Sequence, residues 1–285
     1  MNWNLRSRRL FWTSTLFAGL LLAQMVTYML QTVIELNLGL NVFTACHGLL
    51  TALGLPALAY LLDALVVYTL VSAIWKTAAQ VLSTRKARKR FLRLADTKKT
   101  EELRRRFAWS EPLELAVIRH PSSMAFTMGL YRPLIVLSSG LLELLSDREL
   151  EAVIRHERHH QLSRDPLVSF LLELFASVFS YLPILRWTSG QHRIAREVVA
   201  DQYATACMGT FEFLAGALLK LARSAAPARK PFSYSSFAET SINCRIMQMV
   251  DPEAGPPLRM PLRLAALSAG VTALLTAAFC AGLLH

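Results

Sequence analysis

Residues 156–160 read His156-Glu157-Arg158-His159-His160. On an α-helix, side chains four residues apart share a face, so the His156 and His160 imidazoles can ligate one metal ion. Glu157 stands beside them, placed to act as general base on a metal-activated water. His156 and His159 also share a face, but only the pair His156 and His160 gives the order HExxH. His159 is therefore read as a neighbour. A catalytic zinc needs a third protein ligand and one open position. Glu197 and Asp201 occur in Arg196-Glu197-Val198-Val199-Ala200-Asp201, one helical turn apart and so on one face. Glu197 can complete the ligand set, while Asp201 can hold a ligand histidine through its other ring nitrogen. These residues predict one Zn2+ per chain, ligated by His156, His160 and Glu197, with Glu157 as the catalytic group and Asp201 behind a ligand. The donor types suit zinc but leave other divalent metals open.

The elements that must hold these residues are legible nearby. Ser146 with Glu149 three residues on is a capping box, which satisfies free amides at a helix start. Leu150, Val153 and Ile154 give that helix one apolar face. Gly140-Leu141-Leu142 opens a shorter helix that stops near Ser146. Residues 113–119 and 133–138 read as short strands, with residues 124–129 a third candidate. The expected fold is mostly α: an α+β zinc metalloprotease domain with a small sheet, set between transmembrane helices.

Composition supports the membrane part. Of 285 residues, 53% are hydrophobic and the mean hydropathy is +0.35, both high for a water-soluble enzyme. The net charge of +11 would suit a nucleic-acid partner, but its distribution argues otherwise. Arg6, Arg8 and Arg9 precede the first apolar run, and a dense basic stretch at 84–106 follows the second. Such flanking charge orients membrane segments and meets anionic lipid, so membrane lipid is an expected partner and direct nucleic-acid binding is not. Cys46, Cys207, Cys244 and Cys280 form no CxxC pair and read as small apolar residues.

The expected organisation is a transmembrane helix over 1–34, an interfacial or extracytoplasmic segment over 35–54, a second transmembrane helix over 55–83, a cytoplasmic zinc metalloprotease domain over 84–258 and a C-terminal transmembrane helix over 259–285. Residues 35–54 could also form a third crossing. Asp63, inside the second span, is either an intramembrane polar site or a carboxylate paired against a neighbouring helix. Residues 166–187 resemble a further span, yet one crossing there would put Glu197 across the membrane from His156 and His160. If Glu197 is a ligand, that segment must be a buried or membrane-dipping helix, or a re-entrant hairpin.

HExxH followed by ExxxD resembles the gluzincin membrane proteases, and within them two families. The stretch from His120-Pro121 through Gly129 to Arg132-Pro133-Leu134-Ile135-Val136-Leu137 resembles the BlaR/MecR antirepressor metallopeptidases, as do Arg164-Asp165 and Tyr181-Leu182-Pro183-Ile184-Leu185-Arg186-Trp187. HtpX-type proteases are the nearer alternative, although here no His-Pro precedes Arg245-Ile246. The first resemblance implies a signalling protease in the bacterial inner membrane that cuts a transcriptional repressor or itself. The second implies quality control of membrane proteins. Arg245, Tyr203 and His192 are candidates for substrate or oxyanion contact, Arg245 being equally readable as a surface arginine. Antibiotic-sensing BlaR/MecR proteins carry a penicillin-binding domain after the last membrane helix, and the sequence ends at His285 without one, so direct β-lactam sensing is not expected. A rival from another class is a non-proteolytic transducer with structural zinc, which would need a fourth ligand such as Cys207 or His159.

Overall fold

A computed structural model describes residues 2–35, 41–107, 113–224, 245, 262–264 and 266–270. The element order is α1 (Trp3–Ile34), α2 (Val42–Ala52), α3 (Pro56–Arg93), α4 (Thr97–Phe107), β1 (Leu115–Ile118), β2 (Ala125–Met128), β3 (Leu134–Ser138), α5 (Ser139–Leu144), α6 (Asp147–Leu162), α7 (Asp165–Val178), α8 (Pro183–Met208) and α9 (Glu212–Ser224). The described residues fall into two units. One draws on Met1–Arg8, Gln80–Phe170 and His192–Pro257, the other on Arg9–Ala79, Leu171–Gln191 and Leu258–His285.

The first unit is built on a three-stranded sheet in the order β1-β3-β2. β1 runs parallel to β3 with Leu115 opposite Ile135, and β2 runs antiparallel to β3 with Ala125 opposite Leu137. The period-two alternation of strands sorts their side chains to two faces. Leu115, Val117, Ile135 and Leu137 join Leu150, Val153 and Ile154 of α6 and Leu214 of α9 in one core. Ala116, Ile118, Leu134 and Val136 pack on the other face with Phe91, Phe126 and Met128. The outer side of β1 is engaged by residues 94–96, through Asp96 N to Val117 O at 2.7 Å and Arg119 N to Leu94 O at 3.0 Å. No described strand pairs with the outer side of β2.

The start of α6 is fixed as its sequence dictates. The Ser146 side chain accepts from Glu149 N, and the Glu149 carboxylate accepts from Ser146 N at 2.8 Å. Lys220 of α9 reaches the same carboxylate at 2.7 Å, which ties α9 to the head of α6.

In the second unit, α1 presents Gln24, Thr27, Tyr28 and Gln31 at helical spacing toward α2. Asn41 caps α2 and donates to Gln24 O at 2.7 Å and Thr27 Oγ1 at 2.5 Å, and Thr44 donates to Gln31 at 2.7 Å. Asp63 accepts from the Tyr28 hydroxyl and lies 3.1 Å from His47 Nδ1. It is thus a carboxylate paired against neighbouring helices.

Two boundaries differ from the sequence reading. The second apolar helix does not stop at 83 but continues to Arg93, because the Lys/Arg-rich continuation contains good helix formers and no breaker. Residues 166–187 are not one helix. α7 ends at Val178, and α8 starts at Pro183, a residue whose fixed φ and missing N–H suit a first helical turn. At about 1.5 Å per residue, the 14 residues of α7 extend about 21 Å. Most of 259–285 lies outside the described residues; 262–264 and 266–270 are helical.

Gly140 is required where β3 turns into α5. A Cβ there would meet Pro121 O at 2.0 Å and Pro121 C at 2.6 Å, both backbone atoms. Gly140→Ala is expected to cost about 3 kcal/mol, the upper range of overpacking penalties, read as a lowered unfolding midpoint in detergent. A variant as stable as wild type would contradict this close approach.

Candidate metal centre

The site is assembled from two helices. α6 carries His156 and His160 one turn apart with Glu157 next to His156, and α8 carries Glu197 and Asp201. His156 Nε2 and His160 Nε2 lie 3.1 Å apart. Glu197 faces both, with Oε2 at 3.6 Å from His156 Nε2 and Oε1 at 3.7 Å from His160 Nε2. One donor atom from each of these three residues lies within 4.8 Å of the others.

The outer nitrogens of both rings are engaged. His160 Nδ1 meets Asp165 Oδ2 at 2.6 Å. His156 Nδ1 lies 2.8 Å from Asp201 Oδ1, a close pair bent away from a straight hydrogen bond. A carboxylate at Nδ1 fixes the proton there and leaves the Nε2 lone pair facing inward, which is the tautomer a metal ligand needs. Arg245 grips Asp201 with two bonds of 2.7 Å and sits 3.4 Å from Glu197. Arg196 donates to Ser169 and lies 3.5 Å from Glu197.

Electrostatics follow from this crowding. Burial alone disfavours a charged His156, but the Asp201 and Glu197 carboxylates outweigh it and push the imidazole up to about 9. Burial would raise Glu197, yet His156, His160 and Arg245 hold it well below the usual carboxylate range. The field that favours a proton on His156 favours any cation. Glu157, Asp165, Glu197 and Asp201 bring four carboxylates together here, met by the Arg196 and Arg245 guanidinium groups and by the two imidazoles. A divalent ion would neutralise that excess, and two imidazoles with one carboxylate are a donor set that zinc accepts. The donors fit a zinc ion. A second grouping, His159 with His160 and Asp165, reuses an Asp165–His160 contact that is already a direct hydrogen bond.

Beside these donors opens a cavity of about 470 Å3. Ala125, Phe126 and Thr127 of β2 form one wall, and Val153 with Leu214, Leu218 and Leu221 forms an apolar one. Glu157 lines it, its carboxylate accepting from the Thr127 hydroxyl at 2.7 Å.

The structure therefore brings His156, His160, Glu157, Glu197 and Asp201 together. Arg245 joins them, but its guanidinium is spent on Asp201 and Glu197. Tyr203 and His192 do not line the cavity. The Tyr203 ring lies 5.4 Å from that of His159, and His192 is buried, which pushes it down to about 4. Sequence reasoning assigned no role to Asp165, Thr127 or Arg196. Asp165 was findable as an acid just past the helix end, where Arg164 at φ 52° turns the chain back.

The family profile of BlaR1 peptidase M56 matches residues 48–249. The chain belongs to this family. Shorter similarity links this M56 chain to two proteins named Protease HtpX homolog. One, from Archaeoglobus fulgidus, is 37% identical over 78 residues, 27% of this chain and 23% of the relative. The other, from Pyrobaculum calidifontis, is 39% identical over 64 residues, 22% of this chain and 19% of the relative. The chain thus matches about a quarter or less of the length of these relatives.

If Asp201 sets the His156 tautomer, Asp201→Asn lowers zinc affinity by roughly 10–100-fold, the usual cost of losing such a partner. Competition with a fluorescent chelator reads this directly. Unchanged affinity would mean that Asp201 serves only to anchor Arg245.

Proposed function

We propose that this M56 chain is a membrane-embedded zinc metalloendopeptidase acting on a cytoplasmic or membrane protein. The observation that carries the reading is the convergence of His156, His160 and Glu197 beside Glu157, in a cavity walled by β2, the edge strand of the sheet among the described residues. Zinc held by those three residues would supply Lewis-acid polarisation and a water acidic enough to ionise near neutral pH. Glu157 takes the proton of the attacking water and delivers it to the leaving amine. Asp201 and Asp165 hold the two imidazoles, and Arg245 holds Asp201. The side of β2 with which no described strand pairs can receive an extended peptide as an added strand. Structural zinc would call for a fourth protein ligand; Cys207 is exposed and outside the converging donor set.

The membrane reading rests on α1 and α3. Both are long and apolar enough to cross a bilayer, and only 17% of each apolar window is buried, whereas a soluble core helix would be mostly buried. α2, at 11 residues, extends about 16 Å and falls short of a ~30 Å core. α7 falls short as well. With Arg6, Arg8 and Arg9 in the first turns of α1 and basic residues along the end of α3, the domain of 84–258 faces the cytoplasm of a bacterial inner membrane.

Family membership favours signalling, by cleavage of a transcriptional repressor or of the chain itself. The two HtpX homologs favour a second reading, quality control of membrane proteins. Cells carrying wild type or Glu157→Ala separate them when all new protein termini are catalogued. Cuts confined to one DNA-binding protein or to this chain mean signalling, and cuts across many membrane proteins mean quality control. Glu157→Ala is expected to retain zinc and lose cleavage by about 1,000-fold or more, general-base and positioning effects combined. Identical catalogues would contradict a protease.

A further inference from the structure

Thr127 is the polar residue of β2 on the face that meets α6. Ala125 shares that face and packs into the α6 core, while Phe126 and Met128 point to the opposite one. The Thr127 side chain lies 2.7 Å from Glu157 Oε2 and 3.0 Å from Glu157 O. A hydroxyl has one proton to donate, so these two acceptors compete. The carbonyl lies inside α6, where the helix ladder already uses it. The carboxylate is the closer acceptor and the charged one, and charge-assisted bonds are the stronger. It is also placed where its rotamer matters, at the edge of the cavity.

We infer that Thr127 is a positioning residue for Glu157: its hydroxyl holds one carboxylate oxygen and leaves the other free to take a proton from water. The inference rests on the reading of Glu157 as general base. The hydroxyl is engaged by Glu157, so its loss through this contact acts on turnover rather than on binding. β-branching keeps the hydroxyl in place, because few χ1 rotamers are open to threonine in a strand.

The test uses the full-length, zinc-loaded protein in detergent, with Thr127→Val, Thr127→Ser and Glu157→Ala beside wild type. Fluorescein-labelled β-casein gives kcat and KM. Acetohydroxamate binding, followed calorimetrically, gives a readout that needs no cleavage, since acetohydroxamic acid gives its hydroxyl proton to the base as it binds in the hydroxamate form. Thr127→Val removes the hydroxyl at nearly constant shape. It is expected to lower kcat and weaken acetohydroxamate about tenfold, with KM, zinc content and unfolding midpoint unchanged. Thr127→Ser is expected to restore both. Wild-type values of both kcat and acetohydroxamate affinity in Thr127→Val would overturn the inference. So would a loss matched by lower zinc content or stability, which would assign Thr127 to holding β2 on α6. If casein is not cut, the acetohydroxamate affinities alone decide. Failure of the parent reading looks different: Glu157→Ala would then cleave as wild type does.

Discussion

One metal ion cannot be ligated from two sides of a membrane, so in the proposed reading the chain between the ligands must return to the side it left. Two donors stand on α6 and the third on α8, with a strongly apolar stretch between them. The stretch is resolved into α7, too short to cross, and a helix that begins anew at Pro183. The continuous α8 then carries Glu197 back to the histidines. Four residues separate the two helices.

The second demand is electrostatic. Bringing four carboxylates into a buried space is unfavourable unless each is paired or the excess is neutralised. Here each acid has a named contact. Asp165 and Asp201 sit behind the imidazoles, Arg245 bridges Asp201 and Glu197, and Thr127 meets Glu157. The remaining negative excess makes the centre a place for a divalent ion. The same contacts fix ring tautomers and side-chain rotamers, so the arrangement that tolerates the charge also prepares the ligands.

Much of this was legible in the sequence because it is local. The spacing of His156, Glu157 and His160, the Ser146–Glu149 capping box and the Glu197–Asp201 turn are helical periodicities, and β1, β2 and β3 fall within the expected apolar runs. What was not legible depends on contacts between distant parts of the chain. Thr127 reaches Glu157 across the sheet-to-helix packing, and nothing in the strand's alternation says that its partner is a carboxylate. Arg245 is separated from Asp201 by a long stretch of chain, so its pairing could not be told from a surface arginine. Tyr203 follows Asp201 closely, yet helical rotation turns it toward His159. The length of α3 was missed because its charge suggested a domain boundary, whereas lysine and arginine are good helix formers.

The proposed centre has two imidazole ligands, one carboxylate and no sulfur. X-ray absorption of the zinc-reconstituted full-length protein tests it most directly. Two imidazole scattering patterns and oxygen neighbours at ~2.0–2.2 Å are expected, with Glu197→Ala altering the oxygen shell and leaving the imidazoles. A sulfur shell at ~2.3 Å, or a spectrum unchanged by Glu197→Ala, would contradict it.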